Sequence, residues 1–88
     1  MRTITINVDQ NCIDKGIQEN HLCCPIALAC RVAGMPVPSI TNGKCYKNYP
    51  DLTENGIPLP PEAIAFYQAF DRGEEVKPFS FNLEINND

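Results

Sequence analysis

Apolar and polar residues alternate without a fault over Thr3-Ile4-Thr5-Ile6-Asn7-Val8 and again over Phe79-Ser80-Phe81-Asn82-Leu83-Glu84-Ile85. A period of two predicts two half-buried strands, with Ile4, Ile6, Val8, Phe79, Phe81, Leu83 and Ile85 turned to a core and the Thr, Asn, Ser and Glu residues to solvent. Between them the period changes. In the stretch from Cys24 to Gly34, residues Ile26, Ala29, Cys30 and Ala33 recur at i, i+3, i+4 and i+7, and Leu28 and Val32 widen the stripe. Pro25 suits a first helical position, Gly34 a left-handed stop, and Pro36 blocks continuation, so the pattern predicts a central core helix. Ala63, Phe66, Tyr67 and Phe70 repeat the spacing in a second helix that starts at Pro61 and stops at Gly73, with Leu59 and Ile64 placed to staple its start.

Shorter signals fill the remainder. Asp9 is placed to cap a helix of about two turns closed by Gly16, with Val8 and Ile13 as its staple. Residues 17–23 read as a polar connection. Asn42-Gly43 between Val37–Thr41 and Lys44–Lys47 predicts a hairpin, and Pro38 makes its first strand an edge. Residues 48–60 read as a long loop; the alternative is that Asn55-Gly56 adds one more short hairpin. The chain, 1–88, is then a single small α+β domain: two layers, an antiparallel sheet of about four strands with helices on one face, in the ferredoxin-like split βαβ order that sets the first strand centrally beside the last. The expected core is Ile4, Ile6, Val8, Ile13, Ile26, Ala29, Cys30, Ala33, Phe66, Phe70, Phe79, Phe81, Leu83 and Ile85. Such a core leaves little room for a pocket. The last strand would be a sheet edge guarded only by Glu84 and a polar tail, which leaves a route to a homodimer.

Charge narrows the partners. The net charge is −4 and the pI about 4.8. The seven Lys and Arg are scattered, so there is no basic stripe for direct nucleic-acid binding. The sheet aromatics Phe79 and Phe81 face the core, which argues against base stacking on the sheet. No run approaches the ~18 apolar residues of a membrane span. Met1–Ile6 alternates and then meets Asp9, a strand pattern rather than a signal peptide, so the expected location is the cytoplasm with no membrane partner.

Five cysteines, Cys12, Cys23, Cys24, Cys30 and Cys45, are an odd number without a secretion signal, which argues for free thiols rather than a disulfide framework. His21, Cys23 and Cys24 are zinc-ligand types close in sequence, but adjacent cysteines lack the usual paired spacing. Cys24 stands at a helix N-terminus, a position that lowers a thiol pKa, yet His21 is the only base at hand and no third member is spaced to orient it. No phosphate loop, paired-carboxylate or Ser-His-Asp pattern occurs. The expectation is therefore no cofactor, no metal and no catalytic set, with reduced cysteines.

One resemblance is carried by order. Ile13-Asp14-Lys15-Gly16, Cys24-Pro25-Ile26-Ala27-Leu28-Ala29, Leu59-Pro60-Pro61-Glu62-Ala63, Phe70-Asp71-Arg72-Gly73 and Val76-Lys77-Pro78-Phe79-Ser80-Phe81-Asn82-Leu83 follow one another in a series that resembles a group of small uncharacterised bacteriophage and prophage proteins. It covers most of the chain except residues 37–58 and brings no functional residue with it. What it implies is a mobile-element origin, and small phage proteins of this kind often inhibit host defence systems, including as anti-CRISPR proteins. The expected function is a non-enzymatic, phage-type binding protein that occupies a host or defence-system protein in the host cytoplasm. Its expected contacts are Asp51, Glu54, Asp71, Glu74 and Glu75, with Tyr46 and Tyr49 as aromatic anchors. Two rivals come from other classes. One is a small metal or redox protein built on His21, Cys23 and Cys24. The other is a dimeric sponge for a small nucleotide signal, with its pocket at the dimer interface.

Overall fold

The two alternating segments pair with each other. In the computed structural model, which describes residues 2–41, 43–47, 49 and 56–85, and of residues 2 and 85 the backbone only, β1 (Arg2–Val8) runs antiparallel to β5 (Phe79–Ile85). Ile4 lies opposite Leu83, Ile6 opposite Phe81 and Val8 opposite Phe79. That register puts one face of the ribbon in the core, with Ile6, Val8, Phe81 and Leu83 buried. The other face is polar and cross-linked, Thr5 Oγ1 donating to Asn82 Oδ1 over 2.9 Å and Ser80 Oγ to Asn7 Oδ1 over 2.7 Å.

The core-facing side is covered by three helices. Asp9 caps α1 (Gln10–Lys15), its carboxylate accepting the Cys12 N–H, and Val8 and Ile13 both reach the core. Helix α2 (Pro25–Val32) is the central element and buries Ile26, Ala27, Ala29 and Cys30 against β1, α1, α3 and β2. It ends at Ala33, and Gly34 follows at φ +111°, the left-handed stop that the sequence placed there. Helix α3 (Pro61–Asp71) buries Ala63 and Phe66, and the Phe66 ring stacks on Phe79 with centroids 4.6 Å apart. Gly73, at φ +78°, closes it.

The remaining strands form a second sheet in the order β2-β3-β4: β2 (Ser39–Thr41), β3 (Lys44–Tyr46) and β4 (Ile57–Pro58). Thr41 lies opposite Lys44, the spacing of the expected hairpin, and Pro38 precedes an edge strand. The α+β class is as expected, but the single four-stranded sheet is not: the described strands divide into a two-stranded and a three-stranded sheet, so β1 sits beside β5 without becoming central to a split βαβ order. The two ladders do not join: β1 and β5 pair with each other, and β2, β3 and β4 among themselves. β2, β3 and β4 span three, three and two residues, against seven in each of β1 and β5, and so give no periodic signal from which a shared sheet could be read. The end of the expected 48–60 loop pairs instead with β3, Cys45 opposite Ile57, while the alternative hairpin turning at Asn55-Gly56 falls partly outside the described residues.

The core departs from expectation at the far end of α2. Ala33 is exposed and Val32 is 85% exposed; Val32, with half-buried Leu28, lies on the side of α2 turned away from Ile26, Ala29 and Cys30, so the stripe is narrower than expected. Ile4, Ile13, Phe70 and Phe79 are half-buried, and the Ile85 side chain lies outside the described atoms. Their place is taken by Ala63, from the stripe of the second helix, and by Cys12, Cys24, Ala27, Met35, Ile40, Cys45 and Leu59, mostly small or sulfur-bearing residues that periodicity alone does not single out.

Helices α1 and α2 approach closely at Gly16. A Cβ built there would stand 2.6 Å from both Cδ and Cγ of Pro25. The proline ring cannot swing aside, so Gly16→Ala forces the backbone to move and should cost about 1–3 kcal/mol, read as a lowered urea midpoint with an unchanged slope.

Candidate functional site

The polar connection between α1 and α2 is held by its own side chains. Asn20 Oδ1 accepts the N–H groups of Leu22 and Cys23, both at 3.0 Å. Gln18 donates its amide to the Phe70 carbonyl over 3.0 Å, and the Glu19 N–H donates to Asp71 Oδ1 over 2.9 Å. Both anchors lie at the C-terminal end of α3, so the connection is pinned across the top of that helix. Glu19 pays for the geometry: its φ is +55°, the only non-glycine residue with positive φ among those described.

The other end of the connection is fastened to β2. The Ile40 N–H donates to the His21 carbonyl over 2.8 Å, and His21 Nδ1 and Ser39 Oγ lie 2.7 Å apart. The Ser39 side chain is fully buried, and the Tyr49 ring meets the His21 ring edge-on with centroids 4.9 Å apart. His21 is thus a clasp between the loop and the second sheet rather than a free loop residue.

Between these fastenings lies a cleft of about 340 Å³ lined by Glu19, Asn20, His21, Cys24, Ile40, Thr41, Tyr67 and Asp71. A tightly packed core did leave room at the surface. The cleft gathers residues that the sequence assigned to rival readings: Asp71 from the acidic contact set, His21 and Cys24 from the metal or redox set, with Tyr49 adjoining through His21. It carries two carboxylates and no Lys or Arg. Glu74 and Glu75 are exposed beyond the same helix end, and Glu74 is paired with Arg72, which holds its carboxyl below the usual range. Tyr46 is half-buried on β3 beside Gly56, away from the lining. Asp51 and Glu54 lie outside the described residues. Glu19, Asn20, Thr41 and Tyr67 were missed in the sequence; the only signal for the first two was their place in a polar run, and Tyr67 reads there as plain core stripe.

The cysteines behave as packing groups. Cys24 is 4% exposed, and its Sγ accepts the Ala27 N–H at 3.4 Å as the cap of α2. Burial pushes this thiol up to about 11 from the ordinary 9.0, overcoming the helix terminus that was expected to lower it. Cys30 and Cys45 meet at the centre with sulfurs 3.9 Å apart, and Met35 Sδ lies 3.6 Å from Cys45 Sγ. The hydrogen bond to Cys45, then burial, holds the Cys30 thiol far above its ordinary value. Cys23 is half-buried. Among the described residues no group of three His, Cys, Asp or Glu side chains is arranged to hold a metal ion. Likewise no helix there is long and apolar enough to cross a membrane.

The sign of the Cys24 shift gives a prediction. A folded pKa raised from 9.0 to about 11 stabilises the fold fully below about pH 9 and is lost as pH climbs through 11. Two units correspond to roughly 2–3 kcal/mol. The Cys24 share of the fall between pH 9 and 11, read as the difference in urea stability between the parent and Cys24→Ser, which keeps a capping oxygen, should be about that amount. At pH 8 a thiol reagent should label Cys23 first and the other four only on unfolding.

Comparison with known protein families, with curated proteins and with solved structures gave no match to this chain.

Proposed function

We propose that the protein is a non-catalytic binding protein that docks on a basic partner protein, with a Lys or Arg side chain of that partner entering the cleft between the 17–23 connection and α3. The observation that carries this reading is the composition of the cleft: two carboxylates, Glu19 and Asp71, beside the Tyr67 and His21 rings, with no Lys or Arg in the lining. A guanidinium or ammonium group finds there both a counter-charge and an aromatic wall. Asp71 is held in place by the Glu19 N–H, so the acceptor is preorganised. Exposed Glu75 extends the negative field beyond the cleft and favours fast encounter with a basic surface, while the charge of Glu74 is offset by its partner Arg72. If the resemblance of the motif order to small phage proteins is taken as a guide, the partner is a host protein, and a defence component such as a CRISPR effector is the case to try first.

Glu19 supports the reading from the energetic side. Its left-handed backbone would suit glycine better, so Glu19→Gly should leave stability unchanged or raise it by up to about 1 kcal/mol while weakening partner binding. A thermal melt and a binding titration on the same variant separate the two effects.

The function is tested by affinity capture from bacterial host lysate, repeated with Glu74→Lys/Glu75→Lys, with Asp71→Lys and with Cys24→Ser. The expected result is a stoichiometric protein partner, released at high salt, lost with the charge reversals and kept with Cys24→Ser. No partner, or capture that depends on Cys24 alone, would contradict it.

A further inference from the structure

A second groove, of about 350 Å³, runs between α1 and α2 on Asn11, Cys12, Lys15, Leu28, Arg31 and Val32. Leu28, Arg31 and Val32 share one face of α2 at i, i+3 and i+4, and Asn11 and Lys15 are one turn apart on α1. Two features mark it. Val32 is 85% exposed and Leu28 half-buried, so an apolar ridge is left open at the end of the core helix. Lys15 and Arg31 flank it, and among the described residues neither takes part in an ion pair. This makes a basic-rimmed apolar groove on a chain whose net charge is −4. Each base sits in the last turn of its helix, where it complements the dipole. The dipole accounts for the charges but not for the bare valine between them.

We infer that this groove receives an amphipathic helix of a partner protein, its apolar stripe on Leu28 and Val32 and its flanking carboxylates on Lys15 and Arg31. Charge complementarity selects an acidic helix, and two adjoining helix faces offer the seat that a third helix fills. A second copy of this chain fits poorly. Its longest helix, α3, turns its apolar residues Ala63 and Phe66 inward and presents Glu62, Ala65 and Gln68 outside. The groove shares no lining residue with the acidic cleft, so the two sites stand or fall separately.

The test is an amide-resolved NMR titration of the whole chain with a synthetic Leu/Glu amphipathic peptide of about 14 residues, long enough to form a helix when bound. A matched Leu/Lys peptide and phosphatidylglycerol vesicles are the comparison probes. The expected result is saturable shifts at residues 11–15 and 28–32 with the Leu/Glu peptide alone. Val32→Gln and, separately, Arg31→Glu should weaken the affinity at least about tenfold, and Asp71→Asn should leave it unchanged. Val32 is exposed enough that its replacement leaves the fold intact, and the variant's own spectrum checks this. Equal binding of the Leu/Lys peptide, indifference to Val32→Gln, shifts produced by the vesicles alone, or no shifts at all would overturn the inference.

Discussion

Ile26→Ala should remove about 3–4 kcal/mol of stability and lower the melting temperature by roughly 15–25 °C. Ile26 is fully buried near the start of α2, the helix that touches β1, β2, α1 and α3. Truncation deletes its transfer free energy and leaves a cavity whose walls come from several elements at once, so no single one can move in to fill it. A domain of this size holds only about 5–15 kcal/mol in total, and a loss of this size takes a large share of it. Ile26→Val, which keeps most of the volume, should cost only about 0.5–1.5 kcal/mol. Chemical denaturation of the two variants beside the parent checks the pair. A loss below about 1 kcal/mol for Ile26→Ala would mean that α2 is not the element around which the core is built.

The largest functional effect is expected at Asp71. Asp71→Asn keeps an oxygen to accept the Glu19 N–H, so the 17–23 connection should stay in place and the melting temperature should hardly change. Its charge is gone, and the affinity for the captured partner should fall by about one order of magnitude. Asp71→Lys places a like charge against the incoming base and should cost about two orders, near 2.7 kcal/mol. Both losses should shrink as salt is raised, because the parent complex weakens too. Equal affinities for the parent and both variants would remove the cleft from the contact.

These expectations draw on the sequence to different depths. The long elements were legible because each obeys one period over its whole length. Ile4, Ile6 and Val8 face Leu83, Phe81 and Phe79 in the register that uninterrupted alternation demands. Helix α2 carries its start in Pro25 and its stop in Gly34. Strands of two or three residues carry no period, so the division into two sheets could not be read, and Ile57–Pro58 surfaced only as an alternative hairpin. Val32 shows a helical stripe drawn too wide: with about 3.6 residues per turn it falls with Leu28 on the side away from Ile26, and it is 85% exposed.

The candidate site was less legible, since it is made by tertiary closure. Asp71 was named for its charge, His21 and Cys24 for their ligand chemistry, and nothing in the sequence joins positions 19–24 to position 71. The join is made by hydrogen bonds from Gln18 and Glu19 to residues 52 positions away. Cys24 was judged from its helix terminus alone, whereas its burial decides the sign of its pKa shift.

Hydrogen–deuterium exchange on the captured complex tests the central claim most directly. Docking through the acidic cleft predicts that partner binding slows exchange in residues 18–24 and 64–72, the two segments that carry its carboxylates, and that Asp71→Lys abolishes the protection. Protection confined to other segments, with residues 18–24 and 64–72 exchanging as in the free protein, would contradict it.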